Sequence, residues 1–295
     1  MGGYRRATIV SACALVFAAA TCDLKLTAVP PPQKEPPVPK ELLERVAFWS
    51  EQYLAAQVNY AAEETLKQTV FSSKGRSGSG QRTIVSQYVS ARFGESARDQ
   101  GEFRDVISVD GKTIQDDGKL AAKWPKLAAA QSAQQIAALV EDPIKYRLSP
   151  ERFTGLARLP LRFSERNWGK MKFFFAQDTS DPPSPHVLIA YRQVAGDGMM
   201  MVDDKPVLPS GQAWIEPDDG HIVRIEEEFG WKDERYYTSV EFDKAEALGS
   251  WVPQAVIVRF FEKGRLVLEN SYTYTAFRVL HSEHSAGGSA TPKQE

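Results

Sequence analysis

Hydrophobic and polar positions divide this chain into a helical opening and a long β-patterned remainder. Leu42, Val46, Trp49, Tyr53, Ala56 and Tyr60 recur at alternating steps of four and three, which puts them on one face of a helix. Such an aromatic stripe docks a helix on a sheet. The period then changes to two. Leu66 to Ser73 and Thr83 to Phe93 read as strands joined by the Gly/Ser connection KGRSGSGQ. Phe103 to Val109 follows as a strand, with Asp110-Gly111 as a turn into another short one.

Between Trp124 and Lys145 the pattern becomes helical again, with Leu127, Ile136, Leu139 and Val140 as its apolar positions. Pro125 suits the first turn of that helix, and Pro143 ends or distorts it. Tyr146 to Leu161 reads as a loop-rich connection. Strands are then predicted over 170–176, 186–193, 211–216, 221–229, 236–243, 253–262 and 265–279. Pro217-Asp218-Asp219-Gly220 and Glu262-Lys263-Gly264 place glycine where a tight hairpin needs positive φ. The fold class expected is α+β, a curved antiparallel sheet forming an open or half-closed barrel covered by two helices.

The N-terminus changes the picture from a plain domain to an exported one. Arg5 and Arg6 precede an uncharged apolar run from Ala7 to Ala20, shorter than a membrane span and ending in small residues. Residues 1–20 therefore read as a signal peptide cleaved after Ala20, directing the protein to the periplasm or cell envelope. Cys22 offers an alternative, lipidation and anchoring to a membrane, although Ala19-Ala20-Thr21-Cys22 only half matches a lipobox. The other cysteine, Cys13, lies within the leader, so an internal disulfide is not available to the mature chain. Residues 21–40, with VPPPQKEPPVPK at their end, read as a Pro-rich linker. One domain is expected over 41–281, and the small polar residues 282–295 form a disordered tail.

Charge and motifs exclude more than they identify. The 36 basic and 38 acidic residues are interspersed, without the basic stripe that nucleic acid requires. Gly75 to Gly80, GRSGSG, is neither a nucleophile elbow leading into a helix nor a phosphate-binding loop ending in Gly-Lys-Ser/Thr. His281 and His284 are spaced for a metal but sit in the fraying tail, so no metal and no cofactor are expected. Acid pairs at Asp116/Asp117, Asp203/Asp204 and Asp218/Asp219 read as solvated turns. On Glu226-Glu227-Glu228 the alternation puts Glu227 with Val223, Ile225 and Phe229, making it the acid to examine for burial. Met199-Met200-Met201 either line a cavity mouth or begin another strand.

The segments GQAWIEPDDGHIVRIEEEF, YYTSVEFD and WVPQAVIVRFFEKGRLVLENSYTYTAFRVL run strand, Asp-Gly hairpin, strand, strand, proline, hairpin. In that order they resemble the LolA/LolB-like group of periplasmic lipoprotein carriers. The resemblance implies a curved antiparallel sheet wrapping a hydrophobic cavity that helices cover, and lipid or lipoprotein as partner. It places none of the carriers' binding residues on this chain.

The leading expectation is a non-enzymatic envelope protein that holds an acyl chain, a lipid or a lipoprotein segment in an apolar groove. The groove residues expected are Trp49, Tyr53, Phe173, Phe175, Trp214, Ile215, Val258 and Phe260, with no catalytic residue among them. A packed scaffold or interaction domain, in which the same side chains simply fill the core, is the second reading. A hydrolase working through two carboxylates is the third.

Overall fold

A computed structural model describes residues 36–56, 59–71, 80–93, 100–149, 156–177, 184–195, 200–202 and 205–280. The opening helix, α1 (Lys40–Ala56), carries the expected stripe, with Leu42, Val46, Trp49 and Tyr53 buried. It ends before the stripe does. Asn59 adopts a left-handed backbone (φ 47°), and Tyr60 is the first residue of a strand.

The strands are β1 (Tyr60–Val70), β2 (Gly80–Arg92), β3 (Gln100–Val109), β4 (Lys112–Thr113), β5 (Met171–Phe175), β6 (Val187–Gln193), β7 (Met200–Val202), β8 (Lys205–Val207), β9 (Ser210–Ile215), β10 (Ile222–Trp231), β11 (Glu234–Ala245), β12 (Ser250–Glu262) and β13 (Arg265–Val279). Eleven of them form one antiparallel sheet in the order β4-β3-β2-β1-β13-β12-β11-β10-β9-β6-β5. The sheet is open, with β4 and β5 at its edges, and does not close into a barrel. β7 and β8 pair with each other as a separate ribbon.

Bulges interrupt several of the strand pairs, yet one inner face can be followed across the sheet from β6 to β1. Ile189 on β6 lies opposite Ala213, Ala213 opposite Ile225, Ile225 opposite Val240, Val240 opposite Val256, Val256 opposite Tyr272 and Tyr272 opposite Leu66. This row is buried under the α1 stripe in one apolar core. α1 approaches so closely that a Cβ on Gly220, in the β9–β10 turn, would sit 2.7 Å from the Arg45 carbonyl carbon. Gly220 also has φ +77°, so that turn needs glycine twice over.

The second helical stretch departs from expectation. It is three pieces: α2 (Asp117–Ala128), α3 (Ala133–Leu139) and a 3₁₀ turn at Pro143–Tyr146. Its start is not Pro125, which lies inside α2, but Asp116, whose side chain accepts from the Lys119 amide as an N-cap. Ser132 caps α3 in the same way, and Asp142 precedes the 3₁₀ turn. Leu127 and Ile136 pack with Ala61, Val89 and Ala91, residues of the outer face of β1 and β2. α2 and α3 therefore cover the face opposite to α1. Asp105, almost fully buried, fastens them by accepting from Lys123 Nζ, Gln115 Nε2 and the Glu141 amide.

The predicted loop from Tyr146 to Leu161 ends in 3₁₀ structure over Leu156–Phe163, followed by another 3₁₀ segment, Glu165–Lys170. Upstream, Pro36 to Val38, read as the end of a spacer, lie against β5. The Phe175 amide donates to the Pro36 carbonyl, Pro37 bridges Phe174, and Val38 enters the core. Prolines are well suited to covering an edge strand, since they offer no further donor to a passing chain.

Candidate functional site

The inner face gathers seven of the eight residues expected to line a groove. Trp49 and Tyr53 stack at 5.2 Å on α1, and both meet Phe242 edge-on. Phe173 and Phe175 lie on β5, half-buried, with Phe173 stacked on Phe163. Ile215, Val258 and Phe260 also face inward, the first two almost fully buried. Trp214 does not join them. Adjacent residues on a strand point to opposite faces, and Trp214 turns outward beneath the Arg224 guanidinium, 4.9 Å from its ring centroid.

Trp214 instead borders an outer-face cleft of about 730 Å³, whose other walls include His186, Arg224, Glu241, Gln254 and Thr273. Val223 lines it too. The expected alternation put Val223 inside with Ile225 and Glu227, but a bulge between Ile222 and Arg224 inserts one residue and turns Val223 outward.

At one margin of the inner face the apolar surface becomes a ladder of rings. Phe229 stacks on Tyr236 at 5.0 Å, and Tyr236 lies 4.8 Å from Phe260. These rings sit on β10, β11 and β12, with Tyr236 and Phe260 half-buried.

Two residues further in along the same strands runs a polar row: Tyr191, Gly211, Glu227, Thr238, Val258, Asn270 and Gln68, from β6 to β1. Glu227 is buried, as its phase on β10 requires, and receives a fork of two bonds from Arg162, 2.7 Å from Nε and 3.0 Å from Nη2. Tyr191 donates to the same carboxylate at 3.1 Å. Burial by itself lowers the Arg162 pKa, but the hydrogen bonding and charge of Glu227 outweigh it and raise it. Burial, reinforced by the Glu227 charge, pushes the Tyr191 phenol well up. Glu227 is thus fully engaged in holding the 3₁₀ segment to the sheet.

Gly211 makes that possible. A Cβ there would lie 2.1 Å from the Glu226 carbonyl oxygen and 2.7 Å from the Tyr191 hydroxyl. At the other end of the row Gln68 Oε1 accepts from the backbone amides of Leu148 and Ser149, and Gln68 Nε2 donates to Asn270 Oδ1 at 2.9 Å.

Beyond the row, towards β3, Arg104 donates from Nε to both oxygens of the buried Glu64 and lies over the Tyr88 ring. Tyr60, Tyr88 and Tyr274 crowd around it, their rings 5.9 Å and 5.3 Å apart in sequence across Tyr88. Burial pushes the phenols of Tyr53, Tyr60, Tyr88 and Tyr274 upward.

Sequence reasoning missed Arg162, Thr238, Asn270, Gln68 and Tyr272. A usable signal existed for two of them. Gln68 follows Leu66, and Asn270 sits between Leu268 and Tyr272, in the inward phase of strands that are otherwise apolar there. Cys22, His281, His284 and Met199 lie outside the described residues, as do the leader and the tail. Met200 and Met201 form part of β7. Among the described residues no cluster of three or more potential metal ligands occurs, and no helix is long and apolar enough to cross a membrane.

No protein-family model matches the chain, and no curated protein matches it. Solved structures do. A DUF1329 family protein from Desulfovibrio piger is 11% identical, with 85% of this chain covering 94% of that one at a TM-score of 0.42. A LolA superfamily protein from Nitrosomonas europaea is 12% identical over 80% of this chain and 93% of its own, at a TM-score of 0.36. A putative outer membrane lipoprotein-sorting protein domain from Vibrio parahaemolyticus is 8% identical over 84% and 95%, at a TM-score of 0.33. Similarity at this level transfers no residue role and no activity.

Proposed function

We propose that this is an exported, non-enzymatic cell-envelope protein that holds an acyl chain, a lipid or a lipoprotein segment against the inner face of its sheet. The observation that carries the reading is the ring ladder Phe229–Tyr236–Phe260 at the margin of the inner face, in which Phe229 is buried and Tyr236 and Phe260 are half-buried. An aromatic margin gives an alkyl chain a surface to leave water on, at about 0.8 kcal/mol per buried methylene before ordering costs. Trp49, Tyr53, Phe173, Phe175, Ile215, Val258 and Phe260 form the proposed apolar wall. Trp214, on the other face, is not part of it. The leader at 1–20 supports export to the periplasm or envelope.

A packed scaffold is the second reading, favoured by the near-complete exclusion of solvent from Val46, Ile215, Ile225 and Val258. Native mass spectrometry of the protein purified from its own envelope fraction separates the two. A lipid adduct that is lost on denaturation is the expected result. A bare chain in both spectra overturns the groove and leaves the scaffold. The same spectra decide the N-terminus, because a covalent diacylglyceryl increment at Cys22 marks anchoring and a chain beginning at Thr21 marks simple cleavage.

A further inference from the structure

We propose that the outer-face cleft bordered by Trp214 binds a neutral oligosaccharide lying across the strands. The cleft has a volume of about 730 Å³ and runs from His186, just before β6, over β9, β10, β11 and β12 to Thr273 on β13. Six strands at ordinary spacing make it roughly 24 Å long. It lies on the opposite face from the apolar wall, and the proposal does not rest on what that wall holds.

Irregularities in the sheet build this cleft. β10 carries one extra residue against β9, at Val223, and β12 carries one against β11, at Gln254. Both extra residues line the cleft. Arg224 stands opposite Glu241 and Glu241 opposite Ala255, so the two bulges fall at one level of the sheet. Ala255 stands opposite Thr273, and two residues further on, directly after Thr275, the register of β13 against β1 shifts as well, where Ala276 takes a left-handed backbone (φ 52°). Bulges bend a strand and re-aim its side chains, so bulges at one level crease the sheet along a single line. The cleft follows that line.

The lining selects the occupant. Trp214 is half-buried, with the Arg224 guanidinium over its ring. Beside this wall the polar groups are reachable: Glu241, Asp243, Thr273 and Thr275 are exposed and Gln254 is half-buried. Carboxylates only accept, a guanidinium only donates, and amides and hydroxyls do both. A sugar matches that mixture, because each of its hydroxyls both donates and accepts, while the C–H faces of its rings cover indole and valine. Other ligands fit less well. An acyl chain finds few apolar side chains here, since Phe242 and Tyr274, which also border the cleft, belong to the inner core. An anion meets Glu241 and Asp243, and Arg224 is already paired with Glu226. An extended peptide takes its affinity from main-chain pairing along a sheet edge, whereas this cleft crosses β9 to β13, interior strands paired on both sides.

The test is calorimetric titration of the full chain with chitohexaose, cellohexaose and maltohexaose, and with hexalysine as the cationic peptide that Glu241 and Asp243 could attract. Saturable binding of at least one sugar is expected, weakened about tenfold or more in Trp214→Ala, as for a tryptophan at the centre of an interface. Trp214→Ala also takes the ring from under Arg224, so Thr273→Arg is the second variant. Thr273 is exposed, and a longer side chain there fills the cleft without entering the core. Sugar binding should fall by a similar factor in Thr273→Arg with the thermal midpoint unchanged. Undiminished binding in Thr273→Arg overturns the cleft as the site. Binding of hexalysine and of no sugar overturns the saccharide in favour of a cationic peptide. Binding of none of the four at millimolar concentration overturns the proposal outright, and leaves the inner-face reading standing.

Discussion

Arg162 donates twice to Glu227, and this fork joins the 3₁₀ segment after residue 156 to the middle of the sheet. Both side chains are buried, so each charge is tolerable only because the other is there. Arg162→Met, which strands a buried carboxylate beside Tyr191, is expected to lower stability by about 3–5 kcal/mol. Replacing both residues, Arg162→Met with Glu227→Met, should recover most of that loss. A denaturant-based double-mutant cycle measures the difference. A single-variant cost near zero would mean that the fork does not tie the segment down.

Gly211 stands opposite Glu227, and its missing side chain is what lets Tyr191 reach the carboxylate. Tyr191→Phe deletes only the hydroxyl and should cost about 1 kcal/mol. Gly211→Ala is expected to cost more, because its Cβ meets the Glu226 carbonyl, a backbone atom that cannot rotate away. The order of thermal midpoints should therefore be native, then Tyr191→Phe, then Gly211→Ala. The reverse order for the two variants would show that β9 shifts freely.

Much of this architecture was open to reading along the chain, and the failures have local causes. The strands of the second half follow from strict alternation between Gly-bearing turns, and α1 from its apolar stripe. Tyr60 continued that stripe arithmetically, yet the left-handed backbone of Asn59 separated it. Asp116-Asp117-Gly118 looks like a turn, which hid an N-cap and misplaced the start of α2 by several residues. At the site, Trp214 and Ile215 are neighbours on a strand and cannot share a face, so alternation alone separates them. The bulge at Val223 carried no comparable signal. Pairings that span the chain, Arg162 with Glu227 or Gln68 with Asn270, depend on sheet order, which the local pattern does not contain.

Asp105 holds α2 and the segment after α3 to the outer face through charge-assisted bonds. Asp105→Ala leaves Lys123 and the Glu141 amide without that acceptor, and should release residues 117–141 before the rest of the sheet. Hydrogen exchange should then show fast amides over α2 and α3, with slow ones retained in β10 to β13. Uniform acceleration across the sheet would mean that the outer helices are part of the global folding unit.

Alkaline pH tests the buried tyrosines as a group. In Tyr53, Tyr60, Tyr88, Tyr191, Tyr272 and Tyr274, burial raises the folded-state pKa above that of an exposed phenol. A raised pKa means that the folded protein holds the proton more tightly than the unfolded chain. The stabilisation is therefore complete below the unfolded value near 10 and is lost as pH rises towards the folded value. Each such tyrosine gives up stabilisation as pH rises above 10, and six doing so together draw down the about 5–15 kcal/mol that holds an ordinary domain. Unfolding should set in steeply above pH 10, with tyrosinate absorbance from this group appearing in step with the loss of near-ultraviolet circular dichroism. Gradual, reversible titration of all the tyrosines with the fold intact would show that water reaches the inner face far more easily than its packing implies.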